Sequence, residues 1–213
     1  MKQPNPSSVP ETMTPGCPPP AVIAELVRTA ALAPSMHNTQ PWRFSFVPDS
    51  QTIKLYADPS RMLSHSDPNG RAVHISCGAA LFNLRLAVAV AGREPVVRLL
   101  PDDAEPLLLA ALRLGGPHRA GQTAVELHAA IPDRHSNRYP FSNRAVPPGV
   151  LAELVEAAAT EGATLHLPDH AEAARLLYLV RDAERTLAVV TDWGRYAEIF
   201  SYDAPARSFT LTS

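Results

Sequence analysis

The sequence predicts an α+β fold, in which helices pack against an antiparallel sheet. Two short alternating runs, 43–47 and 52–56, flank a polar turn and predict a β-hairpin. The segment 72–91 reads as a helix that is apolar on nearly every side, which is typical of a helix that other elements cover on most sides. Two further apolar runs, 95–100 and 107–114, are strand-like. We therefore expect a central helix against a small sheet.

The first predicted helix follows a proline-rich arm. Residues 1–20 contain seven of the 22 prolines and no apolar run, so we expect a disordered arm over 1–19 and no signal peptide. From Pro20 onward the apolar residues follow a helical period, and Pro34 disfavours helix in the residue before it. These features predict a helix over 20–32.

The later elements are predicted from apolar periodicity and from glycine and proline positions. Gly92 is expected at the carboxyl end of the helix over 72–91. The run 107–114 also fits a helix, because a short apolar run does not distinguish a helix from a strand. Further predicted elements are helices over 122–131, 147–160 and 169–190 and a strand over 163–167.

Composition narrows the classes of function. The chain has 213 residues, 46% of them hydrophobic, enough for one domain or two closely packed halves. A net charge of −2 gives no broad basic surface, and no stretch approaches ~18 consecutive apolar residues, so we expect neither a nucleic-acid nor a membrane partner. Two isolated cysteines predict no disulfide or zinc site and fit a cytoplasmic protein. The chain also lacks a P-loop and a nucleophile elbow.

An internal repeat suggests a duplicated chain. A shift of 128 positions aligns segment 22–31 with segment 150–159, and seven of the ten residue pairs are identical. Two alanine-rich amphipathic helices could also converge by composition alone. The duplication predicts a first half over 20–131 and a second half over 132–213, which follow the arm 1–19.

Two polar segments are candidates for a binding site. The loop between two prolines at 34 and 41 carries Ser35, His37, Asn38 and Gln40, which could present donors and acceptors to a flat polar ring. Alternatively, the loop is an ordinary connection in which Ser35 and Asn38 bond to their own backbone and Trp42 fills the core.

The second candidate is the basic segment 134–138. Arg134 and Arg138 offer planar guanidinium donors suited to a phosphate, and Ser136 adds a hydroxyl. The alternative is a solvated basic turn with no ligand. The corresponding offset before the first repeat copy carries no arginine, so each half contributes a different segment.

These motifs resemble those of one known family. The pattern Pro-Ser-x-x-Asn-x-Gln-Pro-Trp resembles the flavin-facing loop of the nitroreductase family, and the neighbouring His and Arg-Phe resemble its Acg-type subfamily. The basic segment is similar to the family's Arg-Arg-Ser-x-Arg stretch, with a histidine in place of the second arginine. The resemblance implies a nitroreductase-like α+β fold and an FMN site formed by Ser35, His37, Asn38, Gln40, Arg134, Ser136 and Arg138.

The resemblance also implies an activity. It predicts an FMN-binding oxidoreductase that uses NADH or NADPH to reduce nitroaromatic or quinone-like acceptors by two electrons, without a protein acid or base. The alternative is a non-catalytic protein that binds or sequesters FMN. A duplicated chain would build the composite site within itself, as a dimer does in this family.

The second half is expected to be incomplete. The 128-residue offset places the counterpart of the helix over 72–91 at positions 200–219, past Ser213. We therefore expect a truncated chain whose first half leaves an apolar face uncovered. This predicts either a monomeric pseudo-dimer or a dimer formed through that face.

Overall fold

The computed structural model describes residues 17–63, 67–137, 142, 144–196, 200–203 and 208–211. The chain divides into two compact units, residues 1–139 and residues 140–213. Residues 1–16 of the predicted disordered arm lie outside the described residues.

A four-stranded antiparallel sheet forms the first unit together with three helices. Its strands are β1 (Trp42–Val47), β2 (Thr52–Ala57), β3 (Arg93–Leu99) and β4 (Leu108–Pro117), in the order β1-β2-β4-β3. The predicted hairpin is confirmed, because β1 pairs with β2 in antiparallel register. The strand interpretation of 107–114 is also confirmed, since the run forms most of the central strand β4.

The helices of this unit are α1 (Pro20–Ala30), α2 (Arg71–Val90) and α3 (Gln122–Ala130), close to the predicted spans. Ten side chains of α2 are buried, so it is the core helix that its composition predicts. Gly92 follows it with φ of 80°, a conformation that favours glycine after a helix. By length and apolarity α2 could span a membrane, but most of that stretch is buried inside the unit. The α+β prediction is confirmed.

One part of α2 is not covered. Ile75 is 63% exposed, and Leu99 and Leu100, at the end of β3, are 68% and 63% exposed. Leu99 and Leu100 line an apolar cleft of about 200 Å³ with residues of α2, including Gly78. We call Ile75, Leu99 and Leu100 the apolar patch. Large apolar side chains exposed in this way are typical of surfaces that bind another element or chain.

The second unit contains the helices α4 (Pro148–Thr160) and α5 (His170–Tyr196), and a hairpin of β5 (Phe200–Asp203) and β6 (Ser208–Leu211). Helix α4 has the predicted bounds, and α5 extends past its predicted end. The predicted strand over 163–167 is wrong, because that segment is irregular and exposed. A strand needs a partner, and in the described part of this unit β5 and β6 pair only with each other. The hairpin was not predicted.

The two repeat copies are both helices that begin with proline, but they differ in burial. In α1, Ile23, Leu26 and Ala30 are buried in the core of the first unit. In α4, Leu154, the counterpart of Leu26 at the 128-residue offset, is 49% exposed, and the helix buries none of its side chains. The repeated sequence therefore gives the same helix with a different degree of burial. The duplication itself stays a prediction.

Candidate functional site

The polar loop adopts an unusual backbone conformation. His37, Asn38 and Gln40 have φ values of 50°, 58° and 49°, in the left-handed region. Side-chain-bearing residues adopt this conformation at a cost of about 1–2 kcal/mol each. Such strain persists only where neighbouring contacts determine it, and it is concentrated at binding and catalytic sites.

Contacts within the loop hold this conformation. The Ser35 hydroxyl oxygen accepts the Gln40 backbone N–H at 2.9 Å, and the Thr39 hydroxyl donates to the Met36 carbonyl at 3.0 Å. The Gln40 side-chain amide donates to Asn38 Oδ1 across 3.4 Å. Ser35 thus bonds to the loop backbone, as the alternative interpretation of this segment expects, and its hydroxyl proton stays free to donate elsewhere.

The loop nevertheless presents polar groups to solvent. The side chains of His37 and Asn38 are exposed, and those of Ser35 and Gln40 are half-buried. Trp42 is 8% exposed and belongs to the hydrophobic core, which confirms its predicted packing role. The buried tryptophan and the strained backbone before it give the side-chain amides of Asn38 and Gln40 a rigid support.

The basic segment lies beside this loop. Arg134 Nη2 donates to the carbonyl of Leu32 across 3.3 Å, although the two residues are 102 positions apart in the sequence. Leu32 lies between α1 and the loop, and Ile131 is buried just ahead of Arg134. Arg134 and Ser136 are both exposed. Arg138, the third predicted residue of this segment, lies outside the described residues.

Two further residues contact the loop from outside, and sequence reasoning missed them. Arg61 Nη1 lies 3.4 Å from the Thr39 carbonyl oxygen and 3.5 Å from that of Gln40. Arg61 Nε lies 3.7 Å from Asp58 Oδ2. Hydrogen bonds from the Ser60 hydroxyl and backbone N–H lower the pKa of Asp58, so the carboxylate is charged at neutral pH. The only signal is the turn-forming sequence Asp-Pro-Ser-Arg after β2, which does not reveal its partner.

The thiol beside the loop is buried and bonded to the loop backbone. Cys77 Sγ donates to the Pro41 carbonyl at 3.4 Å, and burial raises the pKa of this thiol to about 11. No group of three or more His, Cys, Asp or Glu side chains able to hold a metal ion is present in the described part of the chain. The arrangement is suited to holding an anionic, ring-containing ligand by hydrogen bonds, with a guanidinium for the anion and amides for the ring.

Comparison with known sequences links this region to one family. Residues 13–69 match the model of the nitroreductase family. Over 197 residues the chain is 36% identical to Mycobacterium tuberculosis Rv3131 (strain H37Rv), whose name assigns it provisionally to the NAD(P)H nitroreductases. This alignment covers 87% of the chain and 55% of the relative. M. tuberculosis Acg, named in the same way, is 35% identical over 127 residues, which cover 57% of the chain and 36% of Acg. The chain thus spans about half the length of Rv3131.

Solved structures of similar proteins give lower identities. A nitroreductase family protein from Streptococcus pneumoniae is 16% identical with a TM-score of 0.40, over 62% of this chain and 93% of that one. A Desulfovibrio desulfuricans protein, provisionally named a nitroreductase and solved with FMN, is 21% identical with a TM-score of 0.40, over 63% and 90% of the respective chains.

Proposed function

The chain belongs to the nitroreductase family, and we propose that it is an FMN-binding oxidoreductase that uses NAD(P)H to reduce a small electron acceptor. The observation that supports the proposal is the contact between Arg134 and Leu32, a residue just ahead of the polar loop. Sequence alone gave two separate motifs, and one ligand can use both only if they lie close together. The choice of NAD(P)H as electron donor, and of reduction as the class of reaction, rests on the names of the relatives.

The chemistry of the donors fits FMN. A guanidinium has five N–H groups, and Arg134 uses one of them on Leu32, so the others can reach a phosphate. Ser136 adds an exposed hydroxyl two residues later. Asn38 and Gln40 each carry both a donor and an acceptor, which the edge of a flavin ring requires. Arg134, Ser136 and Asn38 are exposed, and Gln40 is half-buried.

Each predicted residue has a proposed task. Arg134 and Ser136 would bind the phosphate, together with Arg138. Asn38 and Gln40 would orient the ring, with His37 and Ser35 adding hydrogen bonds to the ring or ribityl chain. The chemistry that FMN supplies when bound is two-electron transfer from NADH or NADPH to a nitroaromatic or quinone-like acceptor. The protein would bind and orient, and no side chain is assigned as an acid or base.

The proposal extends to location and assembly. We propose a cytoplasmic protein that is either a monomeric pseudo-dimer or a dimer formed through the exposed apolar patch of Ile75, Leu99 and Leu100. Sedimentation velocity of the purified chain distinguishes these states by mass. A monomer favours the pseudo-dimer, and a concentration-dependent dimer favours pairing of two chains.

The visible absorption spectrum tests FMN binding. We expect the purified chain to be yellow, or to take up added FMN with a shifted flavin spectrum. Asn38→Ala should weaken binding by roughly tenfold, since it removes hydrogen bonds to the ligand. Arg98→Ala is the matched control, because Arg98 is exposed on β3, at the sheet edge opposite β1. Folded wild-type protein that stays colourless in excess FMN would overturn the proposal.

A chain that binds FMN is then assayed for NADPH oxidation with a quinone or nitroaromatic acceptor. Turnover above that of free FMN supports the oxidoreductase. Tight FMN binding without turnover supports the alternative, a protein that sequesters the flavin.

A further inference from the structure

We propose that Arg61 is a positioning residue that holds the strained loop backbone so that Asn38 and Gln40 face a ligand. The identity of the ligand rests on the function proposed above, while the action on the backbone does not. We call the pair Asp58 and Arg61 the loop brace.

The loop brace contacts the loop at Thr39 and Gln40, where the backbone is strained. Arg61 Nη1 lies within 3.5 Å of the carbonyl oxygens of both Thr39 and Gln40. The Thr39 carbonyl belongs to the peptide that enters Gln40 and the Gln40 carbonyl to the peptide that leaves it, and Gln40 is one of the residues with positive φ. A single guanidinium nitrogen shared by two carbonyls fixes the direction of both peptide units, because each must keep its oxygen turned toward Arg61.

The brace is itself attached on both sides. Asp58 Oδ2 lies 3.7 Å from Arg61 Nε, and Asp58 Oδ1 accepts the Ser60 hydroxyl at 2.7 Å and the Ser60 N–H at 3.0 Å. The backbone N–H of Asp58 donates to the Pro41 carbonyl at 3.0 Å. The turn that carries Arg61 is therefore tied to the end of the loop and cannot drift away from it independently.

The brace acts on the ligand-facing side chains through the backbone. Asn38 and Gln40 already contact each other across 3.4 Å, so a rotation of the peptide between Thr39 and Gln40 moves both amides. Arg61 itself is not assigned to the ligand. Its loss should loosen the loop without unfolding the sheet, since its side chain is about half exposed and outside the core.

Amide hydrogen exchange tests the brace without any ligand. The probes are the N–H groups of Asn38, Thr39 and Gln40, whose acceptors all lie within the loop. In Arg61→Ala we expect these amides to exchange roughly fivefold faster, with an unchanged thermal midpoint. Arg61→Lys keeps the charge and an ammonium donor but loses the planar guanidinium, so its effect should be smaller. Arg98→Ala, which also removes one exposed arginine, should leave the loop amides at wild-type rates.

FMN affinity is the second readout. In Arg61→Ala we expect FMN to bind several-fold more weakly with an unchanged absorption maximum at saturation, and Asp58→Asn should reproduce part of this loss. Unchanged loop exchange in Arg61→Ala would overturn the proposal. Faster exchange with unaltered FMN affinity would also overturn it, because the brace would then not position the ligand-facing groups. If the wild-type chain binds no FMN, the proposed function fails, and the exchange rates alone decide whether the brace holds the loop.

Discussion

Replacing Ser35 with alanine removes one contact that holds the strained loop. The Ser35 hydroxyl oxygen accepts the Gln40 N–H at 2.9 Å, and this N–H has no other protein acceptor in the described structure. Leaving a backbone donor without its partner costs about 1–3 kcal/mol, and the half-buried position of Gln40 places the expected cost in the lower part of this range, at about 1.5 kcal/mol. With a urea m-value of about 2 kcal/mol/M, the unfolding midpoint falls by roughly 0.7 M.

The assay is urea unfolding followed by tryptophan fluorescence in a Trp193→Phe background, so that buried Trp42 reports on the first unit. Ser45→Ala is the control, because Ser45 is exposed on β1 and its hydroxyl has no bond in the described structure. A Ser35→Ala midpoint equal to that of Ser45→Ala would refute the reasoning. It would show that the loop conformation does not depend on this hydrogen bond.

Three further experiments test other parts of the structure. Gly115→Ala should destabilise the sheet by about 1–3 kcal/mol, because a Cβ there would come within 2.9 Å of Glu94 on β3. A Cβ at Gly116 would meet nothing within 4 Å, so Gly116→Ala is the control, and thermal unfolding compares the two variants. Under native conditions near neutral pH, a thiol reagent should label Cys17 much faster than buried Cys77, whose pKa is raised to about 11, and both should react equally in denaturant; equal native rates would contradict this assignment. The Asp58 carboxylate has a lowered pKa, so its stabilising contribution is present above its unfolded value and is lost as the pH falls through the folded value; a carboxyl NMR titration with a midpoint at or above 3.8 would contradict this.

Local signals predicted most of the first unit. Two of these signals depend only on neighbouring residues: a proline in the first helical turn, and apolar residues that alternate with polar ones on both sides of a polar turn. Helix α1 and the hairpin of β1 and β2 lie where these signals predicted them. The same kind of signal was wrong at 163–167, because a strand also needs a partner that periodicity does not specify. Helix α4 shows the same limit for burial, since its sequence nearly repeats α1 but its apolar face is uncovered.

The candidate site was only partly predictable. The motifs identified the loop and the basic segment, but the contact between Arg134 and Leu32 joins residues 102 positions apart and no local pattern encodes it. The left-handed backbone of His37 was not predicted, because it depends on the contacts around it. Arg61 was missed for the same reason, since its partners are backbone carbonyls, which leave no mark in the sequence.

The most direct test of the account compares FMN with riboflavin, which lacks the phosphate, by fluorescence titration of wild type, Arg134→Ala and Asn38→Ala. If the basic segment and the loop form one site, Arg134→Ala weakens FMN binding by at least about tenfold and leaves riboflavin unaffected. Asn38→Ala should weaken both ligands equally, because it acts on the ring they share. An Arg134→Ala variant that binds FMN as tightly as wild type would contradict the account, since the basic segment would then play no part in holding the phosphate.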